Sequence, residues 1–82
     1  MIPKLTNAIA QNNFKLKLEF DYKIWKEFSV EPYLQYPVFK PLSDELFFEK
    51  LQVKYNTVVW GKDEEIDFDP YTLWIESQLI DS

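Results

Sequence analysis

The chain has 82 residues with a formal net charge of −5, enough for one small domain over residues 1–82 with a thin core. It has no Cys and no His, which excludes thiol nucleophiles, disulfides, thiolate metal sites and the side chain best suited to proton transfer near neutral pH. Its nine basic residues are all Lys, and an acidic chain without the bidentate Arg is a poor direct binder of nucleic acid.

Residues 5–10 are read as a first strand, with Leu5 and Ile9 on one face. Asn12 and Asn13 follow, and Asn tolerates the positive φ of a tight turn. Residues 14–20 alternate strictly. Phe14, Leu16, Leu18 and Phe20 are expected to face the core, with Lys15, Lys17 and Glu19 in water. A turn at Asp21, Tyr22 and Lys23 leads to a third strand over residues 24–30, whose bulk is assigned to Trp25, Phe28 and Val30, and Trp25 and Trp60 are read as core rings. Short turns between the three strands predict an antiparallel meander.

The prolines at 32 and 37 break the pattern, and Pro32 suits the start of one helical turn. Ser43 is expected to cap a short helical turn through Glu45 and Leu46, although a full capping box needs Glu or Gln at position 46. Residues 48–54 and 57–60 read as a hairpin turning at Tyr55 and Asn56, with Leu51 and Val53 inward. Thr57, Val58 and Val59 suit a central strand. Asp69 as N-cap, Pro70 in the first helical position, and Phe68 with Leu73 as a hydrophobic staple predict a helix from 70 to about 79. Tyr71, Trp74, Ile75 and Leu79 give it an apolar face. The expected fold class is therefore α+β: an antiparallel sheet of about five strands, a short middle helical turn and a C-terminal helix.

The strand Val58-Val59-Trp60 followed by Asp67, Pro70 and Leu73 resembles a small bacterial domain-of-unknown-function family. That family has a Val-x-Trp strand and an Asp-x-x-Pro-x-x-Leu ending after a meander and a hairpin. The resemblance covers nearly the whole chain. It implies an α+β domain with no established catalytic residues. Some members carry a helix-turn-helix, and others stand beside a small protein in a regulatory or toxin–antitoxin partnership. Here no helix-turn-helix follows the ending within the 82 residues. Asp21-Tyr22-Lys23 replaces the usual Gly turn, and the loop after Trp60 is longer and more acidic.

Asp63, Glu64, Glu65, Asp67 and Asp69 place five carboxylates within seven residues. Their first half resembles a calcium loop, but the sixth and twelfth positions hold Phe68 and Trp74 instead of Gly and Glu, so no metal or other cofactor is expected. Two neighbouring carboxylates can split their pKa values for acid–base work, but no nucleophile accompanies them, and an enzyme is not expected. The remaining readings are a solvated loop beside the positive helix end and an acidic docking surface for a small basic protein. The candidate interaction surface is Trp60, Asp63, Glu64, Glu65, Asp67, Tyr71 and Trp74. Lys15 and Lys17, with Lys26 beside them, read as the wet face of a sheet or a weak phosphate strip. Tyr22, Tyr33, Tyr36 and Phe39 lie in connectors and, if clustered, offer a patch for a partner or a homodimer. The expected function is a non-enzymatic interaction module, regulatory or antitoxin-like. The alternatives are an accessory in DNA-level regulation and a small-ligand-binding domain. No apolar run reaches membrane-spanning length and no signal-peptide run opens the chain, so a cytoplasmic location is expected.

Overall fold

The alternation at 14–20 becomes a strand because one face can be buried and the other wetted. In the computed structural model, which describes residues 2–80, β2 (Lys15–Phe20) buries Leu16, Leu18 and Phe20. It pairs antiparallel with β1 (Leu5–Gln11) on one side and β3 (Ile24–Ser29) on the other, giving the expected meander. A short strand β7 (Gln78–Leu79) adds to β3, so the sheet order is β1-β2-β3-β7. The second sheet, in order β4-β5-β6, is built from β4 (Gln52–Lys54), β5 (Thr57–Trp60) and β6 (Ile66–Asp67). Two helices complete the fold, α1 (Glu45–Phe48) and α2 (Pro70–Glu76), with 3-10 turns at Glu31–Gln35 and Pro37–Ser43. The class is α+β, with seven strands in two sheets among the described residues rather than about five. Among the described residues no helix is long and apolar enough to cross a membrane.

One core joins the parts. Leu16, Leu18, Phe20, Phe28 and Val30 meet Val58, Trp60, Ile66 and Phe68 of the second sheet region, with Phe48 and Leu73 from the two helices. All four residues of β5 are buried, as its β-branched run and central place require. The Thr57 hydroxyl is satisfied by donating to the Phe68 carbonyl.

Several expectations need correction. A register shift between Leu5 and Asn7 reverses the facing of β1. Leu5 is buried, but Ala8 and Ala10 then turn inward and Ile9 outward. In β3 the inward set is Ile24, Lys26 and Phe28, continued by Val30 just beyond it, so Phe28 and Val30 are buried as their bulk suggests, but Trp25 lies on the outer face and Lys26 inside. Phe48 closes α1 instead of opening a strand, and the N-cap there is Asp44, which accepts from the Leu46 amide at 3.0 Å; Ser43 donates to the Lys40 carbonyl. Helix α2 begins as expected, with Asp69 accepting from the Thr72 amide at 3.1 Å. It stops at Glu76 rather than near 79, because Ser77 is extended and the next two residues pair with β3.

The three hairpin turns run on left-handed residues without glycine. Asn13 and Phe14, Tyr22 and Lys23, and Tyr55 and Asn56 all have positive φ, between 56° and 68°. A side chain other than Asn costs roughly 1 kcal/mol or more in this conformation. Lys23, exposed at φ 57°, is the simplest place to relieve it. Lys23→Gly is expected to raise stability by about 0.5–1 kcal/mol in urea denaturation.

Candidate functional site

The acidic loop forms around Gly61, whose φ of 98° suits glycine and where a Cβ would run into the Glu65 carboxylate. The Glu64 amide donates back to the Gly61 carbonyl at 3.1 Å, and the Asp63 amide donates to Glu65 Oε2 at 3.1 Å. The carboxylates are not equivalent. Glu64 reaches back to the neighbouring hairpin, where Lys54 Nζ lies 2.5 Å from Oε2 and the Tyr55 hydroxyl donates to Oε1 at 3.1 Å. The bond from Lys54 holds the Glu64 carboxyl below its ordinary value, and the same bond raises Lys54. Asp63, Glu65, Asp67 and Asp69 stay exposed. No group of three or more acidic side chains among the described residues is placed to hold a metal ion.

The apolar members of the expected surface separate. Trp60 is only 1% exposed, so it cannot face a partner and leaves the candidate surface. Its indole N–H donates to the Phe48 carbonyl at 2.8 Å, and its ring stacks on Phe48. Trp74 is half-buried, edge-on to Phe20 at 5.0 Å. Tyr71 and Ile75, one helical turn apart, are both exposed on α2, as is Leu79 on β7. What remains at the surface is a row of carboxylates leading directly in sequence into an exposed apolar face of α2.

The lysine row is already engaged. Lys15 pairs with Glu27 at 3.6 Å, and Lys17 lies 5.0 Å from the centre of the Trp25 ring. Lys26 is absent from that row. Its ammonium lies under α2, 4.0 Å from the Trp74 ring centre, and donates to the Trp74 carbonyl at 2.5 Å. Burial of the ammonium lowers its pKa from the ordinary lysine value.

The connector aromatics do cluster, apart from Tyr22, which is 89% exposed at its turn. Tyr33 stacks on Phe28 at 5.6 Å and meets Phe39 and Phe68 edge-on at 5.8 and 5.2 Å, and Tyr36 lies 6.4 Å away. Beside them opens a groove of about 340 Å³ whose lining includes Phe28, Ser29, Tyr33, Gln35, Tyr36 and Glu76. The Tyr33 hydroxyl donates to Glu76 Oε1 at 2.7 Å. Burial first, then the bond to Glu76 and its negative charge, push the Tyr33 hydroxyl up to about 12. Sequence reading grouped Tyr33, Tyr36 and Phe39 but missed Phe28 and Glu76. Glu76 lies 43 residues from Tyr33 along the chain, so no local pattern joins them.

The raised Tyr33 pKa has a stability consequence. The folded state keeps the hydroxyl protonated where the unfolded chain has lost it, so the contribution is complete below pH 10 and is lost as pH rises towards about 12. Tyr33→Phe is expected to cost about 1 kcal/mol at pH 7 through the lost hydrogen bond and to flatten the alkaline fall between pH 10 and 12. Denaturant midpoints across that range check both effects.

No protein-family model, curated protein or solved structure matches this chain.

Proposed function

We propose that this chain is a non-enzymatic protein-interaction domain, regulatory or antitoxin-like in role, that docks a small basic partner on the carboxylate row and the adjoining face of α2. The observation that carries the reading is the contrast among the loop carboxylates. Glu64 has its own lysine, whereas Asp63, Glu65 and Asp67 are exposed on the same turn and strand and belong to neither ion pair of the described residues, Glu65 accepting only the Asp63 amide. In a chain of net charge −5 these groups repel one another across a few residues, and a basic partner relieves that repulsion. Tyr71 and Ile75, exposed immediately downstream, supply apolar area that the charged row lacks.

The test is a triple neutralisation, Asp63→Asn with Glu65→Gln and Asp67→Asn, which spares the core and the Asp69 cap. A pull-down at low and at moderate salt is compared with the parent chain. The expected result is a basic partner retained by the parent, lost with salt, and weakened about tenfold or more by the triple variant. Binding that is indifferent to both salt and the substitutions overturns the proposal.

A further inference from the structure

We propose that the groove between the 31–36 turn and the end of α2 takes the cationic side chain, lysine or arginine, of a basic partner segment. This rests on the reading of the chain as a module for a basic partner, but places a second contact at other residues. Two rings offer the groove their surface. Tyr33, half-buried, is backed by the core ring of Phe28 with planes 27° apart, and Tyr36 stands 51% exposed beside it. Ring faces carry the negative end of the aromatic quadrupole and attract a cation that still needs an apolar bed for its methylene stem. Glu76 closes the rim, and the Tyr33 hydroxyl holds its Oε1 at 2.7 Å, so the carboxylate is fixed in direction.

Among the described residues the ion pairs are Lys15–Glu27 and Lys54–Glu64, and neither engages the Glu76 carboxylate. An anionic ligand would meet that carboxylate, and a neutral apolar one would desolvate it without return. A cation satisfies the rings and the carboxylate together. A second recess of about 280 Å³ shares Ser29 and Glu76 with the groove and adds Glu27, Lys15 and Gln78. It continues the trough along β3 and supplies another carboxylate, which favours a peptide segment over an isolated small amine. The Lys15–Glu27 pair at 3.6 Å is an exposed one, easily exchanged for a partner's lysine.

Amide NMR of the full chain tests the assignment, titrated with a capped trilysine peptide, with butylammonium, and with a neutral proline-rich peptide of similar length. The expected result is saturable shifts at Ser29, residues 33–36 and Glu76 with trilysine. Glu76→Gln and Tyr36→Ala should weaken the affinity about tenfold with spectra otherwise intact, and the loop triple variant should leave it unchanged. Shifts confined to residues 63–67 would overturn the groove while leaving the loop proposal standing. An equal response to the neutral peptide overturns the cation, and equally tight butylammonium overturns the peptide as occupant. No shift in the groove with any probe overturns it outright.

Discussion

Trp60→Ala is expected to leave the domain largely unfolded at room temperature. Trp60 is 1% exposed, its ring stacks on Phe48 at 5.9 Å, and it meets Phe68 nearly edge-on at 6.0 Å. Removing a buried aromatic of this size costs about 3–5 kcal/mol in lost transfer and cavity terms. The Phe48 carbonyl also loses its only donor from that ring, which adds roughly 1–3 kcal/mol if no water replaces it. A domain of 82 residues has roughly 4–12 kcal/mol in total, so the combined loss reaches the lower part of that range. Trp60→Phe keeps most of the ring and drops the N–H, and should cost about 2–3 kcal/mol with a folded spectrum. Trp25→Ala is the contrast. That ring lies on the outer face of the meander under Lys17, and its loss should cost about 1 kcal/mol. Urea midpoints for the three variants decide the matter. A Trp25 effect as large as that of Trp60 would contradict the placement of the two rings.

That contrast also locates what the sequence could and could not convey. The β2 alternation was readable because its apolar and charged residues obey the period without exception. The start of α2 was readable because cap, proline and staple are all local. In β3 the apolar bulk of Trp25 suggested the core, but parity with Ile24, Phe28 and Val30 places Lys26 there instead. The end of α2 depends on a distant strand. In a longer helix the Trp74 carbonyl would accept from the Gln78 amide, but it receives the Lys26 ammonium and the Ser77 hydroxyl, and Gln78 joins β3. Nothing near residue 77 announces this. The reversed facing of β1 follows from the shift beside Thr6, whose hydroxyl donates to the Glu19 carbonyl across the ladder. Of the candidate surface, Asp63, Glu65, Asp67 and Tyr71 are exposed, as local sequence could suggest, whereas the groove around Tyr33 depends on Glu76, which only the fold brings near.

Lys26→Glu should be among the most damaging single changes on the sheet. Lys26 as a residue is 8% exposed, its ammonium lies over the Trp74 ring and donates to the Trp74 carbonyl, and neither ion pair of the described residues includes it. A glutamate there would point negative charge at the carbonyl oxygen and at the negative face of the ring. Such an uncompensated buried charge costs about 3–5 kcal/mol. Lys26→Met keeps the stem and removes the charge. It loses the bond and the ring contact but also the desolvation cost, so its net effect at pH 7 should stay within about 1 kcal/mol. The two variants separate charge from shape. The pH dependence tests the charge directly. Because burial lowers the folded-state pKa, the folded chain releases this proton before the unfolded chain does, and stability rises as pH climbs from that lowered value towards 10.5. Lys26→Met lacks the rise, so the parent should gain on it across alkaline pH. Paired denaturation curves from pH 7 to 10.5 read the difference, and a gap that stays flat would mean that the ammonium is solvated rather than held under α2.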